Sequence, residues 1–244
     1  MSDSPRIAVL GLADGGAAIA ERLRAAGLEP LDEERLDDAT LVLAVGTPMT
    51  ARRLAQATAP RLAPGARYVS LALLTPSRAR ALAALLPEGA FVDGAVLGIP
   101  GDPDGRRMLL AGPGAPAIAE LLADLGVDAE AVSEEVGAAS TRAQLHSLLV
   151  KGVAATLVDV LWAAEVLGDD AGAHAEILRW FEEASAASAQ ALLRDTAEHH
   201  KTRQLELTDV SEMLAEAGYE PTMTDGIGLT HSRLLHSRKI PHAR

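Results

Sequence analysis

The chain has 244 residues and no cysteine. That excludes disulfides, thiolate nucleophiles and zinc–sulfur sites. Aromatic residues are almost as scarce, at 2%: Trp162, Trp180, Tyr68, Tyr219, Phe91 and Phe181. The core must therefore be aliphatic, and the stacking platform used by single-strand nucleic-acid binders is missing. Positive charge is also in deficit. The net charge is -12 and the pI ≈ 5.0, which argues against nucleic acid as the main partner. Lysine occurs only at Lys151, Lys201 and Lys239, so the other basic residues are arginines and an interior lysine stands out. No uninterrupted apolar run approaches the roughly 20 residues of a bilayer span, so no membrane partner is expected. The polar start at residues 1–6 leads straight into a short apolar run, so no signal peptide is evident and a cytoplasmic protein is expected.

What remains is a folded chain: 48% hydrophobic and 23% charged, which is too apolar for disorder. Its length suits one large domain or two modest ones. Short apolar strands are expected at residues 6–10, 41–45, 68–71, 91–96 and 107–111, with an edge strand at 28–31 restricted by Pro30. Helical spacing occupies 17–26, 50–62, 77–86 and 116–125 between them. Such alternation implies a mostly parallel sheet with helices on both faces. The pattern changes near Glu134. Residues 138–167 read as one long helix, about 45 Å at 1.5 Å per residue. Further helices are expected at 174–200 and 208–217, then a basic, polar tail from His231 that frays. The expected fold class is α/β: a trimmed Rossmann-type parallel sheet, then an all-α C-terminal domain with a long interdomain helix. The expected divisions are 1–134, 135–235 and a frayed 236–244.

The first strand, a glycine turn and a helix follow in the order of a dinucleotide-binding fingerprint. Gly11, Ala13 and Gly16 occupy the three glycine places, with Leu12, Asp14 and Gly15 between them. Ala13 adds a methyl where backbone normally approaches pyrophosphate, and Asp14 adds a carboxylate. A plain strand–helix turn would look similar. About 20 residues on, where an acid meets the ribose hydroxyls, lie Asp32, Glu33 and Glu34. Arg35 follows and could instead meet a 2′-phosphate; a solvated charge cluster is the plain alternative. The chain then enters the strand at Leu41 with no room for another strand and crossover helix. Gly46, Thr47 and Pro48 end that strand near the switch point of the sheet.

Three segments carry a family resemblance: IAVLGLADGGAAIAERLRAAG, FVDGAVLGIPG, and GAASTRAQLHSLLVKGVAATLVDVLWAAEVLG. Their order resembles the β-hydroxyacid dehydrogenase and 6-phosphogluconate dehydrogenase superfamily, which includes imine reductases. Ser147, the pair Lys151-Gly152 and the stretch LAEAGYEPTM are similar to a subgroup with a phosphogluconate-dehydrogenase-type C-terminal domain. The resemblance implies an NAD or NADP cofactor, a small-molecule substrate and a homodimer built by the helical domain. It also implies a catalytic lysine, but that place holds Ala143. Lys151 lies eight residues along, about 12 Å of rise and roughly 80° of rotation away, too far to replace it. His146, one turn from Ala143, is the nearest titratable group, with Ser147 beside it.

The leading expectation is therefore an NAD(P)-dependent oxidoreductase acting on a small carbonyl, hydroxy-acid or imine compound. Lys151, Ser147 and His146 are the candidate catalytic residues. Gly11, Leu12, Ala13, Asp14, Gly15, Gly16, Glu34, Arg35, Gly46, Thr47 and Pro48 are the candidate cofactor residues. The competing expectation is a non-catalytic dimeric relative that binds a dinucleotide or metabolite. A metal enzyme is poorly favoured, because His199 and His200 are adjacent and cannot share a helix face.

Overall fold

The computed structural model describes residues 5–11, 13, 15–98, 106–220, 222–236 and 239–241. The chain divides into two compact units, Met1–Val150 and Lys151–Arg244.

The first unit is built on a six-stranded sheet. Its strands are β1 (Ile7–Leu10), β2 (Leu41–Ala44), β3 (Arg67–Ser70), β4 (Phe91–Leu97), β5 (Arg107–Ala111) and β6 (Ala129–Ser133). They lie side by side in sequence order. Every neighbouring pair is parallel except β4 and β5. Every residue of β1 and β2 is buried, as their unbroken apolar runs require of strands covered on both faces. One face packs against α1 (Gly16–Ala25) and α4 (Ala115–Asp124), through Leu23, Ile118 and Leu122. The other packs against α2 (Ala51–Thr58) and α3 (Pro76–Ala83), through Ala55, Ala79 and Leu82. A third cluster seats the first turns of α5 (Ala138–Leu167), where Ala139 and Ala143 meet Ala95, Leu97, Leu109 and Ala111.

The sheet is trimmed as expected. Between Leu31 and Leu41 the described chain contains no strand. The expected edge strand shrinks to one parallel bridge, Ala8 to Leu31, on the side of β1 away from β2. Pro30 has no N–H to extend that ladder. The chain then turns through a short 3-10 helix, Glu33–Asp38, whose start is capped by the Asp32 side chain.

Several elements differ from the sequence reading. The strand β6 is an addition; its residues are half-buried at the sheet margin apart from the exposed Glu130, so no continuous apolar run announces it. In the second unit the helix break falls earlier than expected. Helix α6 (Asp170–Glu183) ends before Ser185, where Ser185 and Ser188 cap each other reciprocally at the start of α7 (Ala186–Glu216). The polar stretch near His199 only kinks α7. Residues 231–235, expected to fray, form the last turns of α8 (Thr222–Leu235). Backbone hydrogen bonds satisfied within a helix outweigh their weak apolar pattern.

Asp159 fastens the second unit. Its buried carboxylate accepts the Tyr219 hydroxyl at 2.6 Å and the Met223 N–H at 3.2 Å, joining α5 to the start of α8. Yet much apolar surface stays open, including Trp162, Leu178, Trp180, Phe181 and Leu205. Helix α5 also corrects the expectation of no span-length segment. It is long and apolar enough to cross a membrane by length and composition, and most of its apolar stretch is exposed.

Candidate functional site

The glycine turn is dictated by contact. Gly11 has φ 76, and a Cβ there would sit 1.9 Å from the Val45 carbonyl oxygen at the end of β2. No other residue fits. A Cβ on Gly16 would lie 2.9 Å from the Gly11 oxygen, which instead accepts the Gly16 N–H at 3.2 Å. The first and third glycine places are therefore fixed by close backbone packing. Ala13, at the middle place, is exposed. Leu12 and Asp14 lie outside the described residues.

Gly15 caps α1 with a left-handed backbone and offers no side-chain hydrogen bond to the helix start. Ala17 and Ala18 follow, both exposed. The N-terminus of α1 thus presents backbone N–H groups that an anion can satisfy. A cleft of ≈ 650 Å³ opens beside it, lined by Gly15, Ala18, Ile19, Gly46, Leu71 and Val96 among others, with Arg22, Arg106 and Arg107 also in its wall. It lies at the carboxyl ends of β1 to β3, where open α/β sheets bind ligands.

Gly46 lines this wall, and a Cβ there would meet the Thr50 hydroxyl at 2.6 Å. Thr47 and Thr50 close the turn before α2 on each other: the Thr47 N–H donates to Thr50 Oγ1 at 2.9 Å and the Thr50 N–H to Thr47 Oγ1 at 3.2 Å. Thr47 and Pro48 are exposed on that turn. Glu34 and Arg35 sit on the 3-10 helix after the Leu31 bridge, both exposed, and Arg35 Nε donates to Asp38 at 3.2 Å.

The start of α5 carries the rest. Ala143 is buried against β4 and β5, so the place of the family lysine is filled by core packing. His146 Nε2 lies 3.3 Å from the Gly98 carbonyl oxygen. Ser147 is half-buried and Lys151 exposed, one turn apart on the same stripe of the helix. Lys151 falls in the second unit, whereas His146, Ser147 and the glycine turn fall in the first.

Asp93, its partner Ser140, and Gln144 escaped the sequence reading. Asp93 is fully buried on β4 and accepts hydrogen bonds from the Gly137 and Ser140 N–H groups and the Ser140 hydroxyl. Burial pushes its carboxyl up, against the lowering effect of those bonds. Gln144 donates to the Leu74 carbonyl at 3.0 Å, tying α5 to the chain beyond β3. A lone acid inside FVDGAVL was the available signal, since a buried carboxylate requires donors. His199 and His200 turn to separate partners, Asp195 and the Ala197 carbonyl. Among the described residues no group of three potential ligands could hold a metal.

No family model and no curated protein matches the chain. Solved structures do. A conserved protein from Sinorhizobium meliloti 1021 is 26% identical over 95% of this chain and 88% of its own, with a TM-score of 0.53. A protein of unknown function, described as structurally similar to 3-hydroxyacid dehydrogenases, is 25% identical over 95% and 97%, with a TM-score of 0.58. An imine reductase from Myxococcus stipitatus in complex with NADP+ is 17% identical over 96% of both chains, with a TM-score of 0.74. The chain has the fold of the β-hydroxyacid dehydrogenase and imine reductase superfamily, as the sequence resemblance implied.

Proposed function

We propose that the protein is an NAD(P)-dependent oxidoreductase acting on a small carbonyl, hydroxy-acid or imine compound. One observation carries this reading: a helix start that, among the described residues, no side chain caps, behind a glycine turn whose first and third places admit no side chain. The likeness to solved NADP-bound structures supports it. Residues 11–16 would hold the pyrophosphate, Gly46, Thr47 and Pro48 would flank it, and Glu34 and Arg35 would meet the adenosine ribose. When bound, the nicotinamide supplies or accepts a hydride. Ser147 and Lys151 would orient the substrate. His146 would hold or release the proton at the substrate's oxygen or nitrogen. An iminium arrives already protonated and needs no acid, which suits a site with alanine at position 143.

A second copy of the chain would cover the open apolar faces of α5 to α7, giving a homodimer. The buried Ala143 also favours a second reading, a dinucleotide-binding relative without turnover.

Fluorescence or thermal-shift titration with NAD and NADP, followed by single-turnover reduction of ketones and cyclic imines, separates these. Binding with turnover is expected. Binding without turnover selects the non-catalytic dinucleotide-binding reading, and no binding at about millimolar cofactor overturns the oxidoreductase reading and leaves a metabolite-binding relative.

A further inference from the structure

We infer that the dinucleotide site selects NAD over NADP, through the exposed carboxylates of Glu33 and Glu34 on the segment that replaces the second strand of the nucleotide fold. This rests on the dinucleotide reading above and refines it.

The Leu31 bridge identifies the segment. Leu31 pairs with Ala8 in parallel, and its N–H donates to the Ile7 carbonyl at 2.7 Å. In a doubly wound sheet, the residues that follow this strand face the adenosine ribose. Here they are Asp32, Glu33, Glu34, Arg35, Leu36, Asp37 and Asp38. Five carboxylates thus stand against one guanidinium within the segment, and a second guanidinium, that of Arg61, reaches in from outside it.

Both cations are already engaged by the segment itself. Arg35 Nε donates to Asp38 at 3.2 Å, while the Asp32 carboxylate accepts the Arg35 N–H at 3.0 Å. Arg61 donates to Asp37 at 2.7 Å and to the Glu33 and Glu34 carbonyls, each at 2.9 Å. The guanidinium beside Asp37 holds that carboxyl below its ordinary range. This clamp sets the backbone of residues 33–37 and leaves the Glu33 and Glu34 side chains exposed.

A ribose 2′-hydroxyl donates a hydrogen bond to such a carboxylate. A 2′-phosphate brings about -1.5 to -2 charges at neutral pH and offers only acceptors, so it meets repulsion. For Arg35 to serve it, the guanidinium would have to leave Asp38 and still lie beside a surplus of acids. An exposed pair separates at small cost, so Arg35 is the residue within the segment that could reverse the preference.

The test is calorimetric titration of the full chain with NAD and NADP at matched ionic strength, alongside the Glu33→Ser, Glu34→Arg double variant. NAD is expected to bind at least about tenfold more tightly, and the variant to move the ratio toward NADP by about tenfold or more. Both side chains are exposed, so its melting curve should match the parent's. NADP binding equal to or tighter than NAD overturns the selectivity while leaving the dinucleotide reading intact. An unchanged ratio in the variant overturns the assignment to these two acids. Failure of both cofactors to bind overturns the dinucleotide reading and the selectivity with it.

Discussion

The Asp93 carboxylate on β4 accepts the Ser140 hydroxyl at 2.6 Å across 47 residues of sequence. Its other oxygen takes the N–H groups of Gly137 and Ser140 at 3.0 and 2.9 Å. A sheet side chain therefore caps the long helix that carries His146, Ser147 and Lys151. The orphan N–H groups of a helix start are met by a residue from another layer, which fixes the first turn of α5 on the sheet.

Asp93→Ala should be strongly destabilising, by about 2–4 kcal/mol, because buried donors lose their acceptor. Asp93→Asn should cost less, within about 1 kcal/mol, since the amide oxygen can take the N–H groups and the amide can donate to the serine oxygen. The pH dependence runs in a definite direction. Asp93 has a folded pKa raised above 3.8, so its contribution is full below the unfolded value and falls as pH rises through the raised one. Denaturant melts across mildly acidic pH should show that decline in the parent and a flatter profile in Asp93→Asn.

Much of the architecture was legible because it rests on local patterns. Short, largely apolar runs marked β1 to β5, and the short distance from Arg35 to Leu41 announced the trimmed edge. The glycine places were legible as types, but their reason was not: Gly11 is required by Val45, just beyond the neighbouring strand β2. The Asp93 cap was hidden for the same cause, with its partners more than 40 residues away. In the helical unit, polarity near His199 suggested a break, whereas the serine pair at Ser185 and Ser188 makes the actual one. Capping chemistry there outranks average polarity.

Ala18 separates binding from folding at the glycine turn. It is exposed in the first turn of α1 and lines the cleft. Ala18→Asp places a carboxylate where a helix start favours one, so stability should hold or rise by about 0.3–1 kcal/mol. The same charge should repel a pyrophosphate and weaken cofactor binding at least about tenfold. Ala13→Gly should tighten binding by removing a methyl. Gly11→Val is a poorer probe, because its Cβ would collide with the Val45 oxygen and disturb the sheet itself. Thermal shift with and without cofactor reads both quantities.

Tyr219 and Asp159 make the helical unit sensitive to alkali. The carboxylate beside the Tyr219 hydroxyl raises its pKa from 10.0, with burial adding to the effect. The stabilisation is full below that ordinary value and is lost as pH climbs through the raised one. Tyr219→Phe should lower the stability of the helical unit at neutral pH and remove its alkaline decline. Helical circular dichroism under denaturant, measured from neutral to strongly alkaline pH, checks both.

The exposed apolar faces distinguish a second copy from a bilayer. Trp162 is 59% exposed on α5, and Trp180 and Phe181 stand open on α6. Sedimentation should find a dimer at micromolar protein, and Trp162→Glu should shift it toward monomer. A bilayer span predicts instead that the chain partitions into vesicles, with tryptophan fluorescence moving to the blue. Monomeric protein that enters vesicles would overturn the dimer.

Lys151 and His146 should respond differently to substitution. Lys151 is exposed, and its stripe of α5 also carries Ser147. If it orients substrate, Lys151→Ala should leave cofactor affinity unchanged and reduce kcat/KM by about tenfold to a hundredfold, with a loss mainly in KM if the contact is equally strong before and during reaction. His146 contacts the Gly98 carbonyl, so its other ring nitrogen decides any proton transfer. His146→Gln should lower kcat for ketones, whose product oxygen needs a proton, and spare preformed iminium substrates. Loss of both substrate classes to the same degree would make His146 a packing residue. Full activity in Lys151→Ala would remove the lysine from the site. Single-turnover rates for one ketone and one cyclic iminium, measured with each variant saturated with cofactor, decide between these outcomes.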